Sequence, residues 1–491
     1  MRKVKFNTLL FPILLTLFSL QAQAQVLHLE QAVQTALHNN ERIKQAQEKV
    51  VQKTYANHAA WGNFLPSVTL QGGYTHLNDP LQIDLNPIRE AMIQLHTQDQ
   101  VGLANLQSMI VNHRPLTADE MLLAQQTAYN ALNKALPAFK ETLKAQDYKT
   151  ATLIGVQPVF LGGKLIAAKN YANDEQKAAQ AELLKTKNEV IQEVVRNYLS
   201  VVLLQQVVQT REEVLSGMQK HRHQAQLLFK QGLIAKTDVL RADVAVAEAE
   251  RHLFDDRNKL QLAYLALKHS LGLPDQAPIT VTDSLQYHPF SDSLETVLRQ
   301  ARAYQPILQL IATKKHEAKQ KLLAETSEFL PKVAVFGKYE MYPEYLSSLE
   351  PRWAVGVNVQ MNLFNGFKKY NQVQEARHLN KQMDYMQKDI KRQIELWVNK
   401  SYREMHNAEQ RYFKLQANIA LAQENLKSQE KRFQAGLGTS LDVIDARLLL
   451  EKDRIERLKS LYDYNLALTE LFVAQGKAGQ AIPYVAGEDE D

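Results

Sequence analysis

Cysteine is absent from the 491 residues of this chain. A chain without thiols forms no disulfide bond, offers no thiolate to a metal and carries no acylated amino-terminal Cys, so it is not lipidated in that way. A large excess of one charge is also lacking. The formal net charge of +5 falls to +2 without Arg2, Lys3 and Lys5, which belong to a predicted export signal. No basic stripe stands out, so nucleic acid is not expected as a partner.

Sequence motifs of catalysis and cofactor binding are missing as well. Residues 436–440 (GLGTS) resemble a phosphate-binding loop, but no Lys follows them and no strand precedes them. His221 and His223 lie two positions apart and face different sides of a helix, which does not suit a metal ion. Nucleophile-elbow, HExxH and kinase signatures are absent. The sequence therefore predicts no enzyme activity, no catalytic residue, no cofactor and no metal site.

Long hydrophobic runs are confined to the amino terminus. Residues 1–24 combine a basic start, an apolar run from Leu9 to Leu20 and the small-residue site Ala22-Gln23-Ala24. Together they predict a cleaved export signal, with an uncleaved anchor as the alternative. No later apolar run approaches the roughly 18 residues of a membrane helix. Any part of the mature chain that lies in a membrane is therefore expected to consist of β-strands.

The chain repeats itself. Phe64-Leu65-Pro66 recurs as Phe329-Leu330-Pro331, at an offset of 265 residues. Farther along, the offset is 204, and it relates Gly162 to Gly366, Gly232 to Gly436, Asp238 to Asp442 and Gly272 to Gly476. A constant offset over such a distance indicates two copies of one structural unit. The change of offset places about 61 extra residues in the first copy, between positions 78 and 150.

Proline and glycine are scarce in two long stretches. Residues 164–231 contain Gly217 and no proline, and residues 368–435 contain neither type. Apolar residues recur there at spacings of three and four, which predicts helices about 100 Å long, packed like a coiled coil. Each helix leads through a Gly-containing turn to a returning helix, at about 237–270 and 441–474. Shorter helices are predicted at 29–62 and 294–328, and in the insert at 87–110 and 118–136.

Four stretches break the helical period. The clearest, 353–363, places Val, Met and Leu on one face and Gly, Asn and Gln on the other, over the length of a membrane-spanning strand. The other three alternate less clearly, and the sequence does not assign their faces. The predicted organisation is an export signal (1–24); a first repeat (25–272) with strands at about 64–77 and 150–161, a helical insert (78–149) and a hairpin tip (231–238); a linker (273–291); a second repeat (292–476) with strands at about 330–340 and 353–363 and a tip (435–442); and a C-terminal tail (477–491).

Four strands do not close a sheet, and lipid does not tolerate open sheet edges. Two chains would supply eight strands and a barrel filled by side chains. Three chains would supply twelve strands and leave a polar lumen, which the Asn and Gln face of 356–362 favours. The predicted fold is mainly α with a membrane β-barrel shared between chains, continued by long helical hairpins as a tunnel in the periplasm of a double-membraned bacterium.

The sequence resembles the outer-membrane efflux protein family, the TolC-like channels of tripartite pumps, over nearly the whole mature chain. The resemblance rests on the paired FLP segments, the strand-to-helix joints at 158–163 and 363–366, and the tips at 232–240 and 436–444. It implies a homotrimer with a twelve-stranded barrel in outer-membrane lipid, a twelve-helix tunnel and an equatorial linker at 273–291. It also implies a periplasmic adaptor and an inner-membrane transporter of the RND, ABC or MFS type as partners, in efflux or type I secretion.

The resemblance also assigns roles near the second tip. Asp442 and Asp445 match aspartates that narrow the periplasmic entrance of the tunnel, where three copies would give two rings of carboxylates. A helix cap is the alternative role for Asp442. Phe433 and Gly438 stand where the family often carries a tyrosine and an arginine that hold the entrance shut. A polar latch of that kind is therefore not expected here.

Other assignments have structural alternatives. Gly232, Leu233, Gly436 and Leu437 resemble tips that dock on the adaptor, although glycine at such a position also serves ordinary helix-turn chemistry. Asp238 is expected to cap the first returning helix.

The insert 78–149 is expected to form a helical cap over the outer mouth of the barrel, with surface decoration as the alternative. The acidic end, 488–491, is expected to be a disordered tail. For the whole chain, the alternative to a channel is a soluble periplasmic coiled-coil adaptor or scaffold. The alternating strand at 353–363 argues against that alternative.

Overall fold

The computed structural model describes residues 25–347 and 349–486. Its helices are α1 (Leu29–Asn39), α2 (Glu41–Gly62), α3 (Asn86–Val111), α4 (Ala118–Ala135), α5 (Lys164–Lys230), α6 (Lys236–Leu271), α7 (Leu294–Tyr304), α8 (Pro306–Ser327), α9 (Lys368–Gln434), α10 (Ser440–Ala474) and α11 (Ile482–Ala486). Its strands are β1 (Gln25–Val26), β2 (Ser67–His76), β3 (Leu81–Asp84), β4 (Lys140–Lys144), β5 (Asp147–Phe160), β6 (Ile279–Thr280), β7 (Lys332–Glu340) and β8 (Trp353–Gln360). The export signal predicted at 1–24 and the acidic end at 488–491 lie outside the described residues.

The secondary structure recurs at the offsets found in the sequence. The helices α5 and α9 are each 67 residues long. Glycines with left-handed backbone precede them (Gly162 at φ +65° and Gly366 at +68°) and follow them (Gly232 at +74° and Gly436 at +73°). Because glycine adopts this region without strain, the paired glycines explain why both copies turn at equivalent positions.

The helices predicted at 29–62 and 294–328 are each broken in two. The breaks lie at Asn40 and Gln305, whose ψ angles of 125° and 118° are extended. The side-chain amide of Asn40 donates to Ser270 O (3.0 Å), and that of Gln305 donates to Ala474 O (2.9 Å). Ser270 and Ala474 lie in the last turns of α6 and α10, where carbonyls have no helical partner. Each break therefore supplies a buried amide that caps the end of a long helix.

The chain divides into two compact units. The first comprises the residues up to Asn57, Asn170–Leu322 and the residues from Glu375 onward. Its hydrophobic clusters bring the short helices onto α5 and α6 in one repeat and onto α9 and α10 in the other. Buried members include Val194, Tyr198, Leu267, Leu271, Val398, Met405, Tyr464 and Leu468. Among the described residues, no helix combines the length and the apolarity needed to cross a membrane.

The first half of the C-terminal tail predicted at 477–491 is ordered and packed on the first unit. Gly476, at φ +80°, turns the chain so closely that a Cβ would lie 2.5 Å from Tyr304 O. The chain then forms a short 3-10 helix and α11, in which Ala478, Ala481 and Val485 are buried in the hydrophobic clusters of the first unit. Burial of these small apolar side chains holds the segment in place.

The second unit comprises His58–Lys169 and Leu323–Gln374. It contains an antiparallel sheet of order β2-β5-β7-β8. Within the described chain, β2 and β8 are paired on one side only. The strand predicted at 150–161 begins earlier, at Asp147, because its ladder with β2 continues to the pair His76–Asp147. The strand predicted at 353–363 ends earlier, at Gln360.

The insert is not wholly helical, although the sequence pattern suggests that it is. Its two helices, α3 and α4, lie where they are predicted, and the capping box between Thr117 and Glu120 is present. At the base, however, β3 and β4 form an antiparallel pair. The pattern misses this pair because each strand has at most five residues and its partner lies more than 50 residues away in the chain.

Candidate functional site

Both helical hairpins end in the same backbone turn. At the first tip, the N–H groups of Leu233 and Gly232 donate to carbonyls in the last turn of α5, both at 2.9 Å. Equivalent bonds of 2.8 and 3.0 Å close the second tip at Leu437 and Gly436. This Schellman arrangement satisfies the carbonyls at the helix ends. It also leaves the side chains of Leu233 and Leu437 projecting at the tips, 61% and 73% exposed.

At the second tip, Asp442 takes part in a capping box. Thr439 is the N-cap residue of α10, and its hydroxyl accepts from the Asp442 N–H (3.3 Å). The Asp442 carboxylate in turn accepts from the Thr439 N–H (2.9 Å) and hydroxyl (2.8 Å). These bonds, the backbone one foremost, hold the pKa of Asp442 below its ordinary value. Asp442 is therefore an exposed, ionised residue at the third position of the helix.

Asp445 lies one turn farther along α10 and is exposed. In the part of the chain that the structure describes, its side chain makes no hydrogen bond or ion pair. Residues three apart share a helix face, so Asp442 and Asp445 present two carboxylates on one side of α10. The helix start is stabilised by the capping box of Thr439 and Asp442, and within the described residues Asp445 makes no hydrogen bond to it.

The prediction that Asp238 caps the first returning helix is wrong. The N-cap position of α6 is held by Ala235, which has no side-chain acceptor, and Asp238 lies at the third helical position. Its nearest cation is Arg241, at 3.9 Å. Asp238 and Arg241 are the repeat equivalents of Asp442 and Asp445. The first tip therefore pairs opposite charges where the second tip places two negative charges.

Phe433 is buried behind the second tip. Its ring centroid lies 4.7 Å from that of His221 on α5, and His221 Nε2 is 2.8 Å from the hydroxyl of the buried Ser440. Burial, reinforced by the positive charge of Arg447, lowers the pKa of His221 to about 4. A neutral imidazole therefore joins α5 to the start of α10 at neutral pH, and Phe433 serves as core.

Gly217, the single glycine of the first long helix, has a packing role that the sequence pattern does not reveal. A Cβ at this position would lie 1.7 Å from the guanidinium of Arg447. Arg447 reaches over α5 there and forms an ion pair with Glu430 on α9. The absent side chain thus lets one arginine of α10 contact both long helices.

A buried ionic network joins three helices farther from the tips. Arg211 on α5 donates from Nε to Asp256 on α6 (2.9 Å) and from a terminal nitrogen to Glu451 on α10. Both carboxylate side chains are 6% exposed. Burial alone would raise the pKa of Asp256, but hydrogen bonds from Lys259 and Arg211 outweigh it and lower the pKa. The network is invisible in the sequence because its members are 45 and 240 residues apart.

The four-stranded sheet of the second unit is a further candidate site. Strand register assigns the faces that alternation leaves open. One face carries exposed apolar side chains on all four strands: Val68, Leu70, Tyr74, Leu153, Val335, Tyr339, Trp353, Val355, Val357 and Val359. The other face is rich in polar side chains: Thr69, Gln71, Thr150, Thr152, Lys332, Lys338, Glu340, Asn358 and Gln360. Tyr74, Tyr339 and Trp353 lie on the apolar face at the end where the insert joins, a position typical of an interfacial aromatic girdle.

Comparisons with known proteins agree with this fold. The family model described as outer membrane efflux protein matches residues 124–273 and 297–477. The Alkaline protease secretion protein AprF of Pseudomonas aeruginosa is 23% identical over 362 residues, which cover 70% of this chain and 72% of the relative. Among solved structures, the outer membrane protein VceC of Vibrio cholerae superposes with a TM-score of 0.69 at 17% identity, over 91% of this chain and 96% of that one. The CmeC outer membrane channel of Campylobacter jejuni gives a TM-score of 0.70 at 14% identity, over 94% and 87%.

The two matched segments cover the long hairpins of both repeats and include every tip residue discussed above. Helix α3 lies outside them, since the first match begins at residue 124. The family consists of channel proteins and not of enzymes, in agreement with the absence of catalytic motifs in this sequence. On these grounds the chain belongs to the outer membrane efflux protein family.

Proposed function

We propose that this protein is a trimeric channel in the outer membrane of a Gram-negative bacterium and acts as the passive exit duct of a tripartite efflux or type I secretion system. The observation that carries the proposal is the sheet of the second unit. One face carries exposed apolar side chains on all four strands, with Lys149, Gln157 and His76 among its polar members, and the other face is rich in polar side chains. Among the described residues, the outer edges of β2 and β8 are unpaired. Such a sheet is stable in lipid only when its edges are closed by other copies of the chain.

Three copies account for the polar face better than two do. Eight strands enclose an interior filled by side chains, whereas twelve leave room for water. Lys332, Lys338 and Gln360 would leave buried charge and unsatisfied amide groups in a filled interior. In a twelve-stranded barrel these groups line an aqueous lumen.

The tips provide the gate and the docking surface of the proposed duct. Asp442 and Asp445 would form two stacked rings of carboxylates at the periplasmic entrance, favouring cations and repelling one another. The projecting Leu233 and Leu437, each beside a turn glycine, would dock on a periplasmic adaptor, which together with an inner-membrane transporter opens the entrance. One relative is named as a protease secretion protein, so export of a protein is the first function to test for the proposed duct.

Fractionation combined with native mass spectrometry tests the proposal against the scaffold alternative. We expect the protein to stay in the outer-membrane fraction after a high-salt wash and to leave detergent micelles as a trimer. A protein released by salt as a monomer or dimer would contradict the channel and favour a soluble coiled-coil scaffold.

The insert is proposed to cap the outer mouth of the barrel, and its removal is expected to raise uptake of a large antibiotic several-fold. The N–H of Leu85 donates to Phe139 O (2.8 Å), so residues 86–138 can be replaced by an Asn-Gly turn without disturbing β3 and β4. The deletion is best made with Asp442→Asn and Asp445→Asn, so that the periplasmic entrance does not limit uptake. Unchanged uptake at equal membrane levels would contradict the cap.

A further inference from the structure

Helix α3 carries two stripes on opposite faces. The stripe directed at α4 includes the buried residues Ile93, Thr97 and Ser108, and is bonded to α4 through Tyr129 Oη and Glu90 Oε1 (2.6 Å). The opposite face, called here the outer stripe, consists of Ile88, Met92, Leu95, Leu103, Leu106 and Ile110. At 100° per residue, its members fall within an arc of about 80°. The larger apolar side chains of α3 thus point away from its partner helix.

The outer stripe is a large, continuous apolar patch. Its side chains are 48% to 74% exposed, and Met109 beside it is 51% exposed. Burial energies of 1.5–3 kcal/mol per large apolar side chain correspond to roughly 100 Å² for a fully exposed one, so these seven residues, each about half to three-quarters exposed, offer about 400 Å². That area is about half of the roughly 800 Å² per partner of a standard protein interface, and it matches the largest apolar patches found on monomers, which are often functional.

The charges of α3 favour a protein partner over lipid. Between Arg89 and Arg114 the helix has no Lys or Arg, and its charged residues are Glu90 and Asp99. Helices that lie on membranes carry Lys and Arg on their polar face, whereas the centres of protein interfaces are depleted of charge. The spacing of three and four is that of helix-on-helix packing.

Gly102 gives a second indication of a close helix neighbour. A Cβ at this position would meet nothing within 4 Å. Glycine inside a helix costs about 1 kcal/mol relative to alanine, and the packing within the chain does not explain that cost. Beside the outer stripe, glycine lets the backbone of a second helix approach closely.

The base of the insert holds the outer stripe in a fixed place relative to the sheet. Lys144 on β4 forms an ion pair with Glu350 in the loop between β7 and β8 (3.1 Å). Tyr148 stacks on Tyr345 of the same loop, with ring centroids 5.4 Å apart. In a trimer closed through β2 and β8, three such inserts stand at the same end of the barrel.

We propose that the occupant of the outer stripe is the same stripe of the other two copies, so that three α3–α4 hairpins form a six-helix bundle over the outer mouth. This inference rests on the proposed trimer and specifies how the cap is built. The bundle buries the outer stripes at its centre and leaves the polar sides of α3 and α4 in water.

Cysteine cross-linking tests the bundle directly, because the native chain has no cysteine. Leu106→Cys places a thiol within the outer stripe, and the matched control Gln107→Cys places one at the next exposed position, about 100° around the helix. Under mild oxidation of the purified protein, we expect Leu106→Cys to yield disulfide-linked dimers in up to two of every three chains. Gln107→Cys should yield at least fivefold less.

The outcomes separate this inference from the channel itself. Trimers by native mass spectrometry with equal, low cross-linking of both variants would overturn the bundle and leave the channel standing. Absence of trimers would overturn the channel and the bundle together. A spin label attached to Leu106→Cys distinguishes lipid from protein as the neighbour of the stripe. If the variant does not cross-link, and the label is relaxed by oxygen but not by a water-soluble nickel complex, the stripe faces lipid and the bundle is wrong.

Discussion

Replacement of Asp442 and Asp445 by asparagine is expected to raise the single-channel conductance and to remove most of the preference for cations. At about 8 Å in water, one carboxylate stabilises a monovalent cation by about 0.5 kcal/mol, so a ring of three contributes about 1.6 kcal/mol, or roughly tenfold in cation occupancy. Two rings act in series in the proposed entrance. The substitution also removes the mutual repulsion and the hydration of the carboxylates, so we expect the conductance of the entrance to change as well as its ion selectivity.

Asparagine is the informative substitution because it keeps the helix start. The carbonyl oxygen of Asp442→Asn can still accept from the Thr439 N–H, whereas alanine would cost about 1 kcal/mol of capping energy. The matched control is Asp238→Asn at the equivalent position of the first tip, where Arg241 already balances the charge. We expect this control to conduct like the wild type. Equal selectivity of the double variant and the wild type would contradict a gate at these aspartates.

The pH dependence of the gate follows from the lowered pKa of Asp442. The folded pKa of this carboxyl group lies below its ordinary value. Above the ordinary pKa the group is ionised and its bonds stabilise the fold in full. This charge and this stabilisation are lost as the pH falls through the folded pKa. Cation preference measured at pH 5 should therefore equal that at pH 7. A loss of preference between these values would show that the capping bonds do not keep a ring of Asp442 carboxylates ionised.

Replacement of Arg211 by methionine is expected to destabilise the helical unit by about 3–5 kcal/mol, because it leaves Glu451 buried without a cation and Asp256 with Lys259 alone. The matched control is Arg257→Met, which breaks an exposed ion pair with Glu212 (2.6 Å) between the same helices α5 and α6. Exposed pairs contribute about 0–1 kcal/mol, so the control should unfold close to the wild-type temperature. Thermal unfolding in detergent measures both.

A rescue variant separates lost charge pairing from misfolding. Arg211→Met combined with Asp256→Leu and Glu451→Leu removes the stranded carboxylates, and apolar replacement of a whole buried network is often neutral or stabilising. We expect it to recover most of the lost unfolding temperature. If Arg211→Met unfolds no earlier than Arg257→Met, the network does not stabilise the helices as described.

The repeat and its turns are predictable from the sequence because glycine is the residue that most readily adopts the left-handed backbone these turns require. Gly232 and Gly436 adopt φ near +74° and +73°, which other residues avoid, so their paired positions mark the tips within the sequence itself. The alternating residues of 353–363 likewise predict a strand, since both faces of a sheet are encoded by a period of two. These features depend on local chemistry alone.

Features that depend on distant partners escape the sequence pattern. The break at Asn40 is explained by its hydrogen bond to Ser270, which lies 230 residues away in the chain. The equivalent break at Gln305 is different, because the proline that follows it, Pro306, is visible in the sequence. Aspartate is a residue type that often caps helices, but Asp238 lies three positions after Ala235, the N-cap residue of α6. The sequence does not show this, because residue types alone do not fix the first residue of a helix. The faces of β2, β5 and β7 are assignable only through their register with β8.

The central claim, that three chains close a channel, is tested most directly by single-channel recording in planar bilayers. The wild type and the variant lacking residues 86–138 should be recorded side by side, after native mass spectrometry has established that each is a trimer. We expect a cation-selective conductance from both, because the entrance aspartates are intact in each. If neither conducts, although both are trimeric and inserted in the bilayer, the chain does not form the proposed channel.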